Sequence, residues 1–191
     1  MDWILVGLGN PGKKYEDTRH NVDWMALDAF AEQQSVKINR IRFRALCGEC
    51  IVDGNKVLLM KPQTFMNLSG ESVTEACDYY NVPAERVLVL CDDVAIPFNR
   101  IRIRTKGSGG GHNGLKNIIA MLGSDSFLRV RIGVSDRSDP TTDLADWVLG
   151  SFSGTEKKKL NERFCDTNDV IKLILSGKVD DAMSRYNGDP K

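Results

Sequence analysis

No stretch of this 191-residue chain approaches the roughly 18 consecutive apolar residues that a membrane helix requires. Its first residues, Met1, Asp2 and Trp3, contain no basic segment leading into a long apolar stretch. A secretory leader is therefore not expected, and the expected address is the cytoplasm. Net charge is lacking too, since 26 basic residues balance 26 acidic ones. That balance excludes indiscriminate coating of nucleic acid, which rewards a general positive field, but it leaves room for a local basic patch. Cysteine is present without organisation. Of the five (47, 50, 77, 91 and 165), only Cys47 and Cys50 in "CGEC" stand at motif spacing. The segment reads as a strand, without a second Cys or His pair nearby, so it makes a poor zinc site. A redox C-x-x-C would open a helix, which this one does not, and plain thiols in a reducing compartment are expected. Finally, there is no G-x-S-x-G elbow. Neither "GSFSG" nor "NLSGES" centres a serine correctly, which disfavours a covalent acyl-enzyme.

What is present is ordinary globular material: 41% apolar and 27% charged residues, in a length that suits about one domain. Strand and helix patterns alternate along it. Residues 3–8 form a short buried-strand run, and residues 21–34 place Val22, Met25, Leu27 or Ala29, and Phe30 near one helical face. Residues 42–52 and 56–60 read as strands joined at "DGN", a hairpin signal. Residues 69–80 read as a helix ended by Asn81, Val82 and Pro83. Beyond it, "RVLVLCD" is a buried strand and "RIRIRTK" an alternating one. "NGLKNIIAMLG" is a helix closed by Gly123, and "FLRVRIGV" is another strand. Residues 155–187 read as two helices broken at "SGK". With no repeat or linker, residues 1–191 are expected to form a single α/β domain. Its sheet should be twisted and mixed, largely parallel, and flanked by helices.

The stretch "GLGNPGKKY" carries glycines at 7, 9 and 12, which spell the G-x-G-x-x-G of dinucleotide sites. In that fold the third glycine opens a helix whose N-terminus receives the pyrophosphate. Here Pro11 intervenes, and "KKYEDTR" delays apolar periodicity until about Val22. No second strand ends in an acid near position 30, because that region reads as helix. The cofactor reading fails, and the loop is expected to present Asn10 from the strand end.

Both histidines keep unusual company. His20 lies in "TRHN" before the first helix and His112 in "GSGGGHNG" before another. Asparagines recur beside them as Asn10, Asn21, Asn67 and Asn113, and Asp92 closes a strand. These are the positions, at carboxyl ends of strands and adjoining helix starts, where α/β proteins build sites. Helix caps and turns would account for each asparagine taken singly.

The blocks "GLGNPGKKYEDTRHN", "KPQTFMNLSG", "DDVAIP" and "GSGGGHNGLKNI" together resemble the bacterial-type peptidyl-tRNA hydrolases, in order and spacing, across nearly the whole chain. The resemblance implies a phosphorylase/hydrolase-like fold and cleavage of the ester between peptide and tRNA in peptidyl-tRNA released from stalled ribosomes. It implies no metal and no organic cofactor. By that likeness His20 is the general base for an attacking water and Asp92 the carboxylate that orients it, in the manner of a triad. Asn10, Asn67 and Asn113 would place the substrate, with Tyr15 and Met66 flanking the cleft. A tRNA-phosphate clamp would fall at Arg104, Lys116 and Arg131, to which the bidentate guanidinium is suited. In "RIRIRTK", period-two alternation puts Arg100, Arg102, Arg104 and Lys106 on one face, and Arg129 and Arg131 alternate likewise. A monomer acting on the tRNA acceptor end is the expected assembly.

Three positions depart from the family pattern: Ala95 in place of a second acid, Asp23 in place of a glycine, and a longer, more polar "GVSDRSDP". Asp23 is expected to add negative charge near His20 and raise its pKa. Two other functions stay compatible with the residues. One is a non-catalytic RNA-binding relative of the same fold, disfavoured by the intact His20, Asp92 and asparagines. The other is a hydrolase of small esters or amides, which would have no need of the basic strand face.

Overall fold

Strand β1 (Trp3–Gly7) is buried at every position and sits in the middle of a seven-stranded sheet. A computed structural model describes residues 1–136 and 141–188 of the chain. The remaining strands are β2 (Arg40–Arg42), β3 (Ala45–Val52), β4 (Asn55–Pro62), β5 (Val87–Pro97), β6 (Ile101–Arg104) and β7 (Leu128–Ser135). Their order in the sheet is β2-β3-β4-β1-β5-β7-β6. The central four run parallel, β1 pairing with β4 and β5, and β5 with β7. An antiparallel meander of β2 and β3 closes one edge, and β6 lies antiparallel to β7 at the other. The sheet is therefore mixed and largely parallel, as the alternating pattern predicts.

Helices α1 (Val22–Gln33), α5 (Gly154–Leu175) and α6 (Val179–Tyr186) cover one face; α2 (Ser69–Tyr80) and α3 (Asn113–Leu122) cover the other. Because strand side chains alternate, each central strand feeds both cores. Trp3 and Leu5 pack with Phe30, Phe164 and Ile171 on one side, while Ile4 and Val6 pack with Val73 and Ile118 on the other. Local punctuation matches the expected elements. Asn81 ends α2 in the left-handed conformation, Gly123 does the same for α3, and a Ser153–Glu156 capping box starts α5.

Two expectations need correction. The stretch 42–52 is not one strand: Phe43 and Arg44 take φ of 52° and 51°, a two-residue hairpin turn that joins β2 to β3. Neither residue is the glycine or asparagine that signals such a turn, which is why the pattern hides it. The basic strand is also shorter than "RIRIRTK". β6 spans only Ile101–Arg104, so the strand period holds Arg102 and Arg104 to one face but not Arg100 or Lys106. A short helix, α4 (Leu144–Leu149), appears where no periodicity announced one, six residues being too few to show it. Of "GVSDRSDP", residues 137–140 lie outside the described residues.

The glycine loop after β1 serves packing. α1 starts only at Val22, and a Cβ on Gly9 would come within 2.7 Å of the Trp24 indole, which donates from Nε1 to the Gly7 carbonyl at 3.0 Å. Helix α1 closes onto the end of β1 through this contact, and the glycines admit an indole where a dinucleotide fold would admit phosphate.

Candidate active site

Asp92 lies on β5 just past the point where β1 ends, at the carboxyl end of the parallel strands. It is 5% exposed, and two histidines from separate loops meet its Oδ1. His20, in the 3-10 turn Arg19–Asn21 before α1, approaches with Nδ1 at 2.7 Å. His112, the N-cap of α3, approaches with Nε2 at 3.0 Å. The rings themselves stand 5.2 Å apart, tilted by 52°. Their partners assign the protons. His112 Nδ1 accepts the Leu115 N–H at 3.3 Å, so in the neutral ring the proton sits on Nε2 and is donated to Asp92. His20 donates from Nδ1 to the same oxygen, which leaves its Nε2 lone pair as the basic site. Burial alone would raise the Asp92 pKa, but the charges of His20 and His112 and their hydrogen bonds outweigh it and hold the carboxyl well below its usual range.

The loops that carry these groups are tied down. Arg19 stacks 3.9 Å over the Trp147 ring of α4, donates to the Ser151 carbonyl at 3.1 Å and pairs with Glu156 at 3.1 Å. Asn21 and Asn10 are clamped together: the Asn10 N–H reaches Asn21 Oδ1 at 2.8 Å, and Asn21 Nδ2 returns to the Asn10 carbonyl at 3.0 Å. Asn10 Oδ1 in turn accepts the Met66 N–H at 2.8 Å, so its amide nitrogen is the part left to offer. Gly114 lets α3 close onto this floor; a Cβ there would come within 2.7 Å of Met66 Sδ.

Asn10, His20, Met66, Asp92 and His112 line a cleft of about 710 Å³, which also receives the exposed residues Asn67 and Asn113. Phe65 and, from α4, Leu144 add apolar surface to its lining. Phe65 holds φ at 59° and ψ at 160°, a backbone conformation that a side-chain-bearing residue rarely adopts. A groove of about 760 Å³ between α1 and α5 contains none of His20, Asp92 or His112.

Of the residues singled out from the sequence, Asn10, His20, Met66, Asn67, Asp92, Asn113 and Arg131 come together around this cleft. Tyr15, expected to flank it, is not among its lining residues; it sits in the turn Lys13–Tyr15 with the Lys14 ammonium 4.8 Å over its ring. Arg131 reaches the rim held by Asp93, Nε to Oδ2 at 2.8 Å. The β6–β7 register sets Arg102 beside Arg131 and Arg104 beside Arg129 on one sheet face. Arg129 cannot serve an external anion: it is 3% exposed and donates to the Ser108 and Asp125 carbonyls, both at 3.1 Å. Lys116 is exposed on the first turn of α3.

His112 joins the site without a role expected from the sequence, although two histidines in the whole chain, each beside an asparagine ahead of a helix, are a usable signal. The expectation for Asp23 also changes. Its carboxyl lies behind Asp92, accepting the Asp92 N–H at 3.0 Å. Burial first, then the Asp92 charge, raises its pKa well above the ordinary value, which works against a negative charge there. Ala95 is exposed and outside the cleft lining. Cys47 and Cys50 are free thiols, both pushed up by burial to about 11, so neither is a reactive thiolate at neutral pH.

A mixed α/β sheet with a carboxylate-bound imidazole in an open cleft is an arrangement suited to a hydrolase. Comparison with known proteins narrows the class. The peptidyl-tRNA hydrolase family model matches residues 4–191. A peptidyl-tRNA hydrolase from Agathobacter rectalis is 47% identical over 186 residues, 97% of this chain and all of that one. The Clostridium acetobutylicum protein of the same name is 46% identical, covering 97% of this chain and 98% of its own. The crystal structure of peptidyl-tRNA hydrolase from Acinetobacter baumannii superposes with a TM-score of 0.88 at 31% identity, covering 95% of this chain and 92% of that one. This chain belongs to the peptidyl-tRNA hydrolase family.

Proposed function

We propose that this chain hydrolyses the ester joining a peptide to the 3′ end of tRNA with a water activated by His20. The observation that carries the reading is the 2.7 Å contact between His20 Nδ1 and Asp92 Oδ1, which leaves His20 Nε2 as the base beside an open cleft. Water gives its proton to Nε2 as its oxygen attacks the ester carbonyl. The imidazolium so formed is stabilised by Asp92, and it returns the proton to the ribose oxygen as the ester bond breaks. His112 is a second donor to Asp92 and fixes which way that carboxylate faces.

Asn10 Oδ1 is engaged by the Met66 N–H, and its amide nitrogen can donate toward the substrate. That suits it to the oxygen on which negative charge develops. Asn67 and Asn113 can each donate and accept, which matches the repeating C=O and N–H of a peptide of any sequence. Met66 and Phe65 supply apolar surface for the terminal nucleoside or peptide, and Tyr15, outside the lining of the cleft, would meet only a substrate that extends past it. The reaction as written requires no metal or organic cofactor. The whole chain, residues 1–191, acts as one catalytic domain, as a monomer in the cytoplasm.

The test is peptide release from an N-acetylated aminoacyl-tRNA compared with the same tRNA carrying a free α-amino group. A site built to hydrogen-bond a peptide group should prefer the blocked substrate by about a hundredfold or more. Equal rates on the two would refute the substrate assignment.

Phosphates of the acceptor arm would be held by Arg104, Lys116 and Arg131, with Arg102 contributing from the same sheet face. Arg131 is already paired with Asp93, so Arg104 should supply the larger share. Replacing Arg104 with alanine should mainly raise KM. It should also reduce the slope of log(kcat/KM) against log salt concentration by about one, the loss of one phosphate contact. An unchanged slope would remove Arg104 from the tRNA surface.

A further inference from the structure

Asp23 is a buried ionisable group that the reaction as written does not use. It occupies the first turn of α1 at 0% exposure, and its Oδ2 accepts the main-chain N–H of Asp92 at 3.0 Å. The need for that bond is topological. β1 and β5 pair up to Gly7 and Leu90, and the last rung is Leu8 N–H to the Leu90 carbonyl at 3.3 Å. N–H groups alternate sides along a strand, so Asp92, two residues beyond Leu90, turns its N–H toward the place β1 has just vacated. An orphaned N–H at this depth is costly, and Asp23 supplies the missing acceptor.

Its own Oδ1 is buried without a hydrogen-bond partner. The titratable groups that act on it are Asp92 and the Cys91 thiol, both of β5, while His20 and His112 bear on Asp92 itself. We propose that Asp23 is a positioning residue of the hydrolysis, an uncharged acid that stands in for β1 as partner to the Asp92 main chain and thereby holds the Asp92 carboxylate on His20 and His112. The inference rests on Asp92 serving His20 as proposed above. Of the two carboxyls, Asp92 keeps the charge and Asp23 the proton, which is how neighbouring acids divide one ionisation. Protonated on Oδ1, Asp23 still accepts through Oδ2.

Two measurements test this. The first compares kcat, KM and the pH profile of kcat/KM for wild type, Asp23→Ala and Asp23→Asn. Asp23→Ala should lose about tenfold to a hundredfold in kcat with little change in KM. The acid limb of its profile should move to lower pH, because His20 loses a fixed counter-charge, a change that mere loosening of the fold would not produce. Asp23→Asn keeps the acceptor without a charge and should restore kcat to within about threefold. Wild-type kcat and acid limb in Asp23→Ala would overturn the proposal, as would an Asp23→Asn no better than alanine.

The second measurement needs no substrate and stands even if Asp23→Ala fails to fold. A raised native pKa contributes stability below the unfolded value, and that stability is lost as pH rises toward the native one. The folding constant of Asp23→Asn relative to wild type should therefore climb from about pH 4 to pH 7, by up to about tenfold per pH unit. A ratio flat across that range would mean an ionised Asp23 and would overturn the proposal. Should Asp92→Asn prove fully active, the role given to Asp92 fails, and the stability measurement still reports on Asp23 independently.

Discussion

Replacing His20 with alanine should lower kcat by about a thousandfold, near 4 kcal/mol of transition-state stabilisation, while KM for peptidyl-tRNA changes little. The base is lost, but the amides that place the ester and the cations that hold the tRNA remain. Single-turnover peptide release under saturating enzyme is the direct measurement. Because His20 is 14% exposed in its side chain and touches Asp92 with one edge, truncation opens space on the cleft side of the fold. It should therefore change thermal stability far less than activity. A variant that retains more than about a tenth of wild-type kcat would show that water is activated elsewhere, and the mechanism would have to be rebuilt around His112.

Asp92→Asn is expected to be nearly as damaging, by about two to three orders of magnitude in kcat, for a different reason. An amide oxygen could still accept from both rings, but it brings no charge to stabilise the imidazolium. Where the amide nitrogen faces His20 instead, the ring must accept at Nδ1 and carry its proton on Nε2, the wrong tautomer for a base. The acid limb of kcat/KM should also shift downward, since the imidazolium has lost its counter-ion. Stability adds an independent check. The Asp92 pKa is lowered in the native state, so its contribution is present above the unfolded value near 4 and lost as pH falls through the native one. The stability advantage of wild type over Asp92→Asn should thus be full at neutral pH and shrink in strong acid. An advantage that stayed constant down to about pH 2 would contradict an Asp92 held by two histidines.

Much of this was legible in the chain. Buried runs such as "ILVG" and "RVLVL" read as buried strands, as they are in a parallel sheet with both faces covered, and the start and stop signals of α2 and α3 placed those helices within a residue or two. What stayed hidden shares a cause. The turn at Phe43 and Arg44 is imposed by pairing of β2 with β3, against local preference. Arg129 alternates with Arg131 and looks alike in sequence, yet one guanidinium is spent on the Ser108 and Asp125 carbonyls and the other reaches the cleft. α4 is too short to show a period, although Trp147 from it packs on the residue next to His20.

By itself the sequence determined which chemistry is available: two imidazoles, a carboxylate at a strand end and amides at helix starts, with no nucleophile elbow and no metal-ligand spacing. Residue type and local spacing decide those things. Only the tertiary structure decided that both imidazoles share one carboxylate oxygen, which of their nitrogens carries the proton, and that Asp23 lies beneath Asp92. These depend on where β1 stops relative to β5, because groups 72 and 20 residues apart in the chain acquire hydrogen-bond distances only once the strands are in register.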